Sequence, residues 1–269
     1  MPGGVVAHEL RENVVCFAAD ALPPEPPGGA VPVTGTDLTL TSADGTAFSA
    51  FEADAPTPSG AGVVILPDVR GLFAFYTRLA ERFAGVGIDA VSIDYFGRTA
   101  GTGHRDKDFE YGPHVAQTTP DGVAADVDAA VRRLRERGRV TSIFTVGFCF
   151  GGSNSFLQAA RPDLAGVIGF YGGMRPRVEN GPTPITRAPQ AKVPVLGLFG
   201  GADQSIPAEK VEEFGAALAP TGVEYTLHTY PGAPHSFFDR SHEEYAKECA
   251  DAWTRMLAFV NDHTGKSTA

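Results

Sequence analysis

The sequence predicts an α/β protein built on a mainly parallel sheet with helices on both faces, and three observations carry that expectation. Short apolar runs alternate with amphipathic stretches along most of the chain, the pattern of repeated strand–helix units. Several runs, such as VVILP at 63–67, are apolar at every position, as a strand covered on both faces requires. Proline or threonine at the starts of the amphipathic stretches and glycine at their ends supply helix boundaries.

Residues 1–35 contain LPPEPPGG at 22–29, too rich in proline and glycine for regular structure, and read as an arm laid over a single domain at 36–265. LTLT and FSAF flank the turn sequence Ala43-Asp44-Gly45 and predict an antiparallel hairpin at the sheet edge. After the strand at 63–67, Tyr76, Leu79, Ala80 and Phe83 recur at helical spacing, with Gly85 as a stop. A strand at 88–93 follows, then a helix at 120–137 opened by Thr119-Pro120 and closed by Gly138, and a strand at 142–146. The alternation continues with a helix at 152–160, strands at 165–170 and 193–199, a helix at 207–219 opened by Pro207, and a strand at 223–229. The last helix is expected from Ser241, where Ser241 and Glu244 form a capping-box pattern, with Tyr245, Cys249, Trp253, Met256 and Val260 as its apolar stripe. Two segments break the alternation, 97–118 and 171–192, and long loops after the strands of such a sheet are expected to wall a pocket.

The bulk numbers narrow the class of function. An apolar fraction of 43% and a charged fraction of 20% are ordinary for a folded enzyme. A net charge of −10 repels nucleic acid and anionic lipid at long range, so an anionic substrate would need local arginines. Charges interrupt the first residues where an export signal needs an unbroken apolar run, and no stretch approaches the ~20 apolar residues of a membrane span. Three widely separated cysteines, Cys16, Cys149 and Cys249, suggest neither disulfides nor zinc, and the cytoplasm is the expected compartment.

The strand at 142–146 runs into Gly147-Phe148-Cys149-Phe150-Gly151-Gly152 and a helix follows at once. This is a G-x-nucleophile-x-G elbow with cysteine in the nucleophile position, the glycines giving room for a turn too tight for side chains. At the helix start the thiol faces unsatisfied N–H groups and the positive dipole end, which favours thiolate. Taken alone, the pattern also fits, less well, a glycine-rich turn around a buried structural cysteine. A nucleophile in this setting needs an acid and then a histidine later in the chain, each at a strand end. Asp203 follows the apolar run ending at Phe199-Gly200-Gly201, and His235 lies in the loop between the last strand and the last helix. Each by itself is an ordinary turn or surface residue; the three in order predict a triad of Cys149, Asp203 and His235.

These motifs, with PDVRG at 67–71, DYFGR at 94–98, GFCFGG at 147–152, GGAD at 200–203 and GAPHSFFDR at 232–240, resemble the dienelactone hydrolase family over roughly residues 35–262. The resemblance implies an α/β-hydrolase fold in which Cys149 attacks a lactone or ester carbonyl, His235 shuttles the proton and Asp203 orients His235. It further implies an oxyanion hole from the backbone N–H groups of Phe150 and Val69. The family glutamate that contacts the resting thiol is replaced by Asp68, one methylene shorter. Of two family arginines that hold a substrate carboxylate, Arg98 matches one; the position four after the histidine is Asp239, leaving Arg70 or Arg240 as substitutes.

The other candidates read as structural. Cys249 sits on an apolar helical stripe and Cys16 has no nearby pattern. His104 and His114 share an acidic loop with Asp106, Asp108 and Glu110, but the spacing matches no metal motif. Gly151-Gly152-Ser153 lacks the lysine of a phosphate loop. The expected protein therefore uses no cofactor or metal and takes a small ester or lactone through a thiol acyl-enzyme, with a homo-oligomeric state left open. A carboxylesterase for uncharged esters and a noncatalytic binding module of the same fold are the alternatives.

Overall fold

A computed structural model describes residues 21–176 and 181–266. The first 20 residues, with Cys16, lie outside the described residues, as do four residues of the expected pocket-wall segment at 171–192. The eight strands are β1 (Thr36–Thr41), β2 (Ala47–Ala53), β3 (Ala61–Leu66), β4 (Asp89–Ile93), β5 (Ser142–Phe148), β6 (Gly166–Phe170), β7 (Val195–Gly200) and β8 (Tyr225–Tyr230). They form one sheet in the order β1-β2-β4-β3-β5-β6-β7-β8, with β1 and β2 antiparallel and every pairing from β4 to β8 parallel.

The strand register follows from which residues can be buried. β3 to β7 are buried at every position, so their continuous Val, Ile, Leu and Phe runs meet helices on both faces. β1 alternates exposed and half-buried residues, as an edge strand with one solvated face does. The helices are α1 (Ala74–Gly85), α2 (Gly97–Ala100), α3 (Tyr111–Val115), α4 (Pro120–Arg135), α5 (Phe150–Leu157), α6 (Pro184–Arg187), α7 (Ala208–Leu218) and α8 (Ala246–His263). Right-handed crossovers put α1 on one face and α4, α5 and α7 on the other. Phe83 of α1 packs 4.9 Å from Trp253 of α8, and Phe156 of α5 packs 4.9 Å from Phe214 of α7. Residues 21–35 run across α1 and α8: the Trp253 indole N–H donates to the Pro24 carbonyl at 3.0 Å and the Val31 amide to that of Gly85 at 3.1 Å.

Most boundaries fall within two or three residues of the sequence reading. Thr119 caps α4 as expected, its Oγ1 accepting from the Gly122 amide at 3.1 Å. The last helix differs. It begins at Ala246 rather than Ser241, and the Ser241–Glu244 capping box does not form because the Ser241 amide turns back to the Ser236 carbonyl at 3.3 Å. The backbone of 236–242 is thereby drawn into the turns behind His235. The segments expected as loops contain short helices, α2 and α3 within 97–118 and α6 within 171–192.

Strand order reverses direction on either side of β3, which neighbours both β4 and β5, so the loops leaving the carboxyl ends of β3 and β5 part from each other. A crevice at such a switch point is where open parallel sheets place ligands. Asp68 to Leu72 leave β3 there, and Cys149 leaves β5.

Candidate active site

Cys149 sits between β5 and α5 with φ +53° and ψ −108°, a conformation that L-residues seldom adopt. The turn is built by close approach. A Cβ on Gly147 would strike the Gly151 carbonyl, and one on Gly151 the Leu66 and Pro67 carbonyls. The glycines thus let α5 start directly against the end of β3. The Cys149 amide donates to the Phe170 carbonyl at 3.0 Å and its carbonyl accepts from the Ser153 amide at 3.1 Å. The sulfur is held at the first turn of a helix, where N–H groups and the dipole favour a negative charge.

Two other strands deliver the remaining residues. Asp203 follows β7 and is buried; its Oδ1 accepts from the Ser205 amide at 2.8 Å and the Ser205 hydroxyl at 2.6 Å. Those bonds aim Oδ2 at His235, whose Nδ1 lies 2.6 Å away. The same imidazole hydrogen-bonds the Cys149 side chain. Burial opposes an imidazolium here, but the Asp203 hydrogen bond, the Cys149 hydrogen bond and the attraction of both groups outweigh it and lift His235 to about 10. Burial also opposes ionisation of Asp203, yet its hydrogen bonds from His235 and Ser205 hold its carboxyl below the usual range. The structure therefore brings Cys149, His235 and Asp203 together from the ends of β5, β8 and β7.

The segment after β3 runs beside the nucleophile turn. Tyr95 secures it, donating its hydroxyl to the Pro67 carbonyl at 2.9 Å while its ring meets Phe150 edge-on at 5.1 Å. Val69 lies in this segment, flanked by Asp68 and Arg70. Asp68 is fully buried; its Oδ1 accepts from the Arg70 amide at 2.9 Å and its Oδ2 from the Arg70 guanidinium at 3.4 Å. Thr118, Thr119, Phe150, Ser153, Asn154, Arg175, Pro182 and Pro184 line a narrow cleft beside the start of α5, so residues of both interrupting segments contribute to its wall.

The expected arginines are placed differently. Arg98 Nη1 donates to both carboxylate oxygens of Asp126 at 2.8 and 2.9 Å, and Nε to Asp44 at 2.9 Å, so the carboxylates it holds are the protein's own. Arg70 pairs with Asp68, and Arg240 is exposed, with its backbone amide on Asp239 at 2.6 Å. Sequence reasoning missed Ser205, whose position two residues after an Asp in a turn was the available signal. It also missed Arg175, which nothing in the local pattern marks. Cys249 is buried in the core, where burial and Asp239 push its thiol up to about 12. His104 contacts Asp37 at 2.8 Å and His114 stacks on Phe109 at 5.0 Å; among the described residues no cluster of three or more metal-ligating side chains occurs.

A family model for the dienelactone hydrolase family matches residues 48–264. The chain belongs to that family. Consistent with the assignment, this dienelactone hydrolase family member is 30% identical over 227 residues to a protein of Escherichia coli O157:H7 named "Putative carboxymethylenebutenolidase", covering 81% of each chain. It is 29% identical over 217 residues to a Bradyrhizobium protein named "Probable 2-oxo-3-(5-oxofuran-2-ylidene)propanoate lactonase", covering 77% of this chain and 86% of that one. Among solved structures, a Klebsiella pneumoniae protein titled "Putative Dienelactone Hydrolase" superposes with a TM-score of 0.72 at 25% identity, covering 85% of this chain and 99% of the other. The fold is the α/β-hydrolase fold and the chain is a hydrolase of this family. Among the described residues no helix is long and apolar enough to cross a membrane.

Proposed function

We propose that this family member hydrolyses a small lactone or ester in the cytoplasm through a Cys149 thiol acyl-enzyme. The observation that carries the reading is the imidazole of His235, held at 2.6 Å by Asp203 and hydrogen-bonded to the Cys149 side chain at the start of α5. The sulfur bonds to the carbonyl carbon, and the oxyanion that forms is met by the backbone N–H groups of Phe150 and Val69. Collapse breaks the acyl C–O bond, and the imidazolium gives its proton to the departing alkoxide. Water then adds to the thioester with His235 taking its proton, the acid leaves, and the thiolate returns. The proton that the imidazolium carries is the one the Cys149 thiol gives up; Asp68, tied to Arg70 in the segment after β3, is proposed to assist thiol activation by passing that proton on to His235. The test is intact-mass spectrometry during turnover of an activated ester: an acyl adduct on Cys149 is expected, and turnover by Cys149→Ala would sink the reading.

A second reading concerns the substrate's charge. Arg98 and Arg70 already hold carboxylates of the chain, which supports a carboxylesterase acting on uncharged esters over one that demands a carboxylated lactone. The relative named as a lactonase of an oxofuranylidene propanoate supports the lactone class. Rates on a matched pair of lactones, with and without a carboxylate, separate the two; a preference of about tenfold or more for the anion would remove the uncharged-ester reading.

A further inference from the structure

We propose that Asp239, buried four residues beyond His235, is a positioning residue that latches Tyr171 against the His235 imidazole and so locks two strained loops into one arrangement. The inference rests on His235 acting as the proton shuttle. Asp239 has no solvent exposure; its Oδ2 accepts from the Tyr171 hydroxyl at 2.9 Å and its Oδ1 from the Arg240 amide at 2.6 Å. The Tyr171 ring in turn lies 5.0 Å from that of His235, on the loop leaving β6, and the Tyr171 amide is fixed to the Leu198 carbonyl at 2.7 Å.

Among the described residues three non-glycine side chains have positive φ, and all three are at this site: Cys149 at +53°, Tyr171 at +36° and Ser236 at +61°. Such conformations are strained for L-residues and persist only where surrounding contacts over-determine them. Asp239 contacts two of the three, Tyr171 through its carboxyl and Ser236 through its own amide, which donates to the Ser236 carbonyl at 3.3 Å. It is the point at which the β6 loop and the histidine loop are tied. Without the tie, Tyr171 is free to swing away and the imidazole loses the ring that packs against it.

The groups facing Asp239 are Asp68 with its partner Arg70 from the β3 loop, Tyr171 from the β6 loop, His235 and Arg240 from its own loop, and Cys249 from α8. Burial first, then repulsion from Asp68, pushes its carboxyl up to about 8, against the hydrogen bonds from Arg240 and Tyr171 and the attraction of His235. In neutral solution the latch therefore carries a proton. Above that range it becomes an anion that holds the imidazolium more tightly, and His235 gives up its proton less readily.

The test measures kcat, KM and their pH dependence in single and double variants. Tyr171→Phe and Asp239→Leu should each lower kcat about tenfold or more with KM changed less than about twofold, and the double variant should lose no more than the worse single. Asp239→Asn, which keeps an oxygen for the Tyr171 hydroxyl, should recover most of kcat and lose the alkaline inflection. Asp68→Asn should move that inflection to lower pH. A kcat for Tyr171→Phe within twofold of wild type, losses that multiply in the double variant, or an unchanged alkaline inflection in Asp239→Asn would each overturn the latch. If Asp239→Leu does not fold, Tyr171→Phe and Asp239→Asn decide. Absence of an acyl adduct on wild-type Cys149 would be a failure of the hydrolytic reading; a normal adduct with normal turnover in Tyr171→Phe would be a failure of the latch alone.

Discussion

Arg98 and Asp126 make a double contact at 2.8 and 2.9 Å, and Arg98 reaches Asp44 as well, so one guanidinium joins the β1–β2 turn to α4. Asp126 is 1% exposed and also accepts from the Ser42 hydroxyl. Removing the cation leaves this buried carboxylate short of its charge partner. Arg98→Ala is expected to destabilise the protein by about 1–3 kcal/mol, less than for a fully buried pair because Arg98 itself is 26% exposed. Its effect on kcat/KM should be the same for carboxylated and neutral esters. Denaturant unfolding with paired substrates measures both, and a loss confined to the carboxylated substrate would return Arg98 to the binding site.

Arg175 is the better place to look for an anion contact, because it lines the cleft beside Phe150 and makes no ion pair among the described residues. Arg175→Gln should raise KM for a carboxylated lactone roughly three- to tenfold, the size of an exposed charge-assisted contact, and spare neutral esters. Equal effects on both would make the cleft wall, not the charge, the cause.

The two described cysteines should differ sharply towards iodoacetamide. The proposed pairing of Cys149 with His235 at a helix start should make its sulfur reactive at neutral pH, whereas Cys249, pushed up to about 12, should not react. Modification of Cys149 alone is expected at pH 7, and His235→Ala should move its profile towards that of a free thiol near ~8.5. Peptide mapping reads the site; alkylation of Cys249 in folded protein would contradict the burial argument.

His235 also sets a pH dependence of stability. Its folded value, about 10, lies above the ordinary histidine value of about 6.5, so the native state binds the extra proton between them. The stabilisation is fully present below about 6.5 and is lost as pH rises through about 10. The stability gap between wild type and His235→Gln should therefore narrow from pH 6 to pH 10. A gap that widens over that range would reverse the sign and reject the ion pair.

Gly151 tests the elbow. A Cβ there meets backbone carbonyls of Leu66 and Pro67, which cannot rotate away as a side chain could. Gly151→Ala is expected to cost about 3 kcal/mol or more and to push α5 off the end of β3. Gly222→Ala, at a turn with φ +73° and open space around the site, should cost only about 1 kcal/mol. Thermal unfolding of the pair checks the order.

The sequence by itself determined the layers and the three residues most open to chemistry. Continuous apolar strands can be satisfied only between two helical layers, and Gly147 and Gly151 flank Cys149 because the turn excludes side chains, so both are legible one segment at a time. Asp203 and His235 were legible from their places at strand ends. What only the tertiary structure decided were partners between segments far apart in the chain. Arg98 looked free for a substrate until folding set Asp44 and Asp126 beside it, 54 and 28 residues away. Asp239 looked like a lost arginine until Tyr171, 68 residues earlier, was found donating to it. The Ser241–Glu244 pattern failed as a helix start for the same reason: a local capping preference of about 1 kcal/mol yielded to the turn that carries His235 and buries Asp239. Local pattern reports which face of an element is buried, but which charge neutralises which depends on the three-dimensional neighbours.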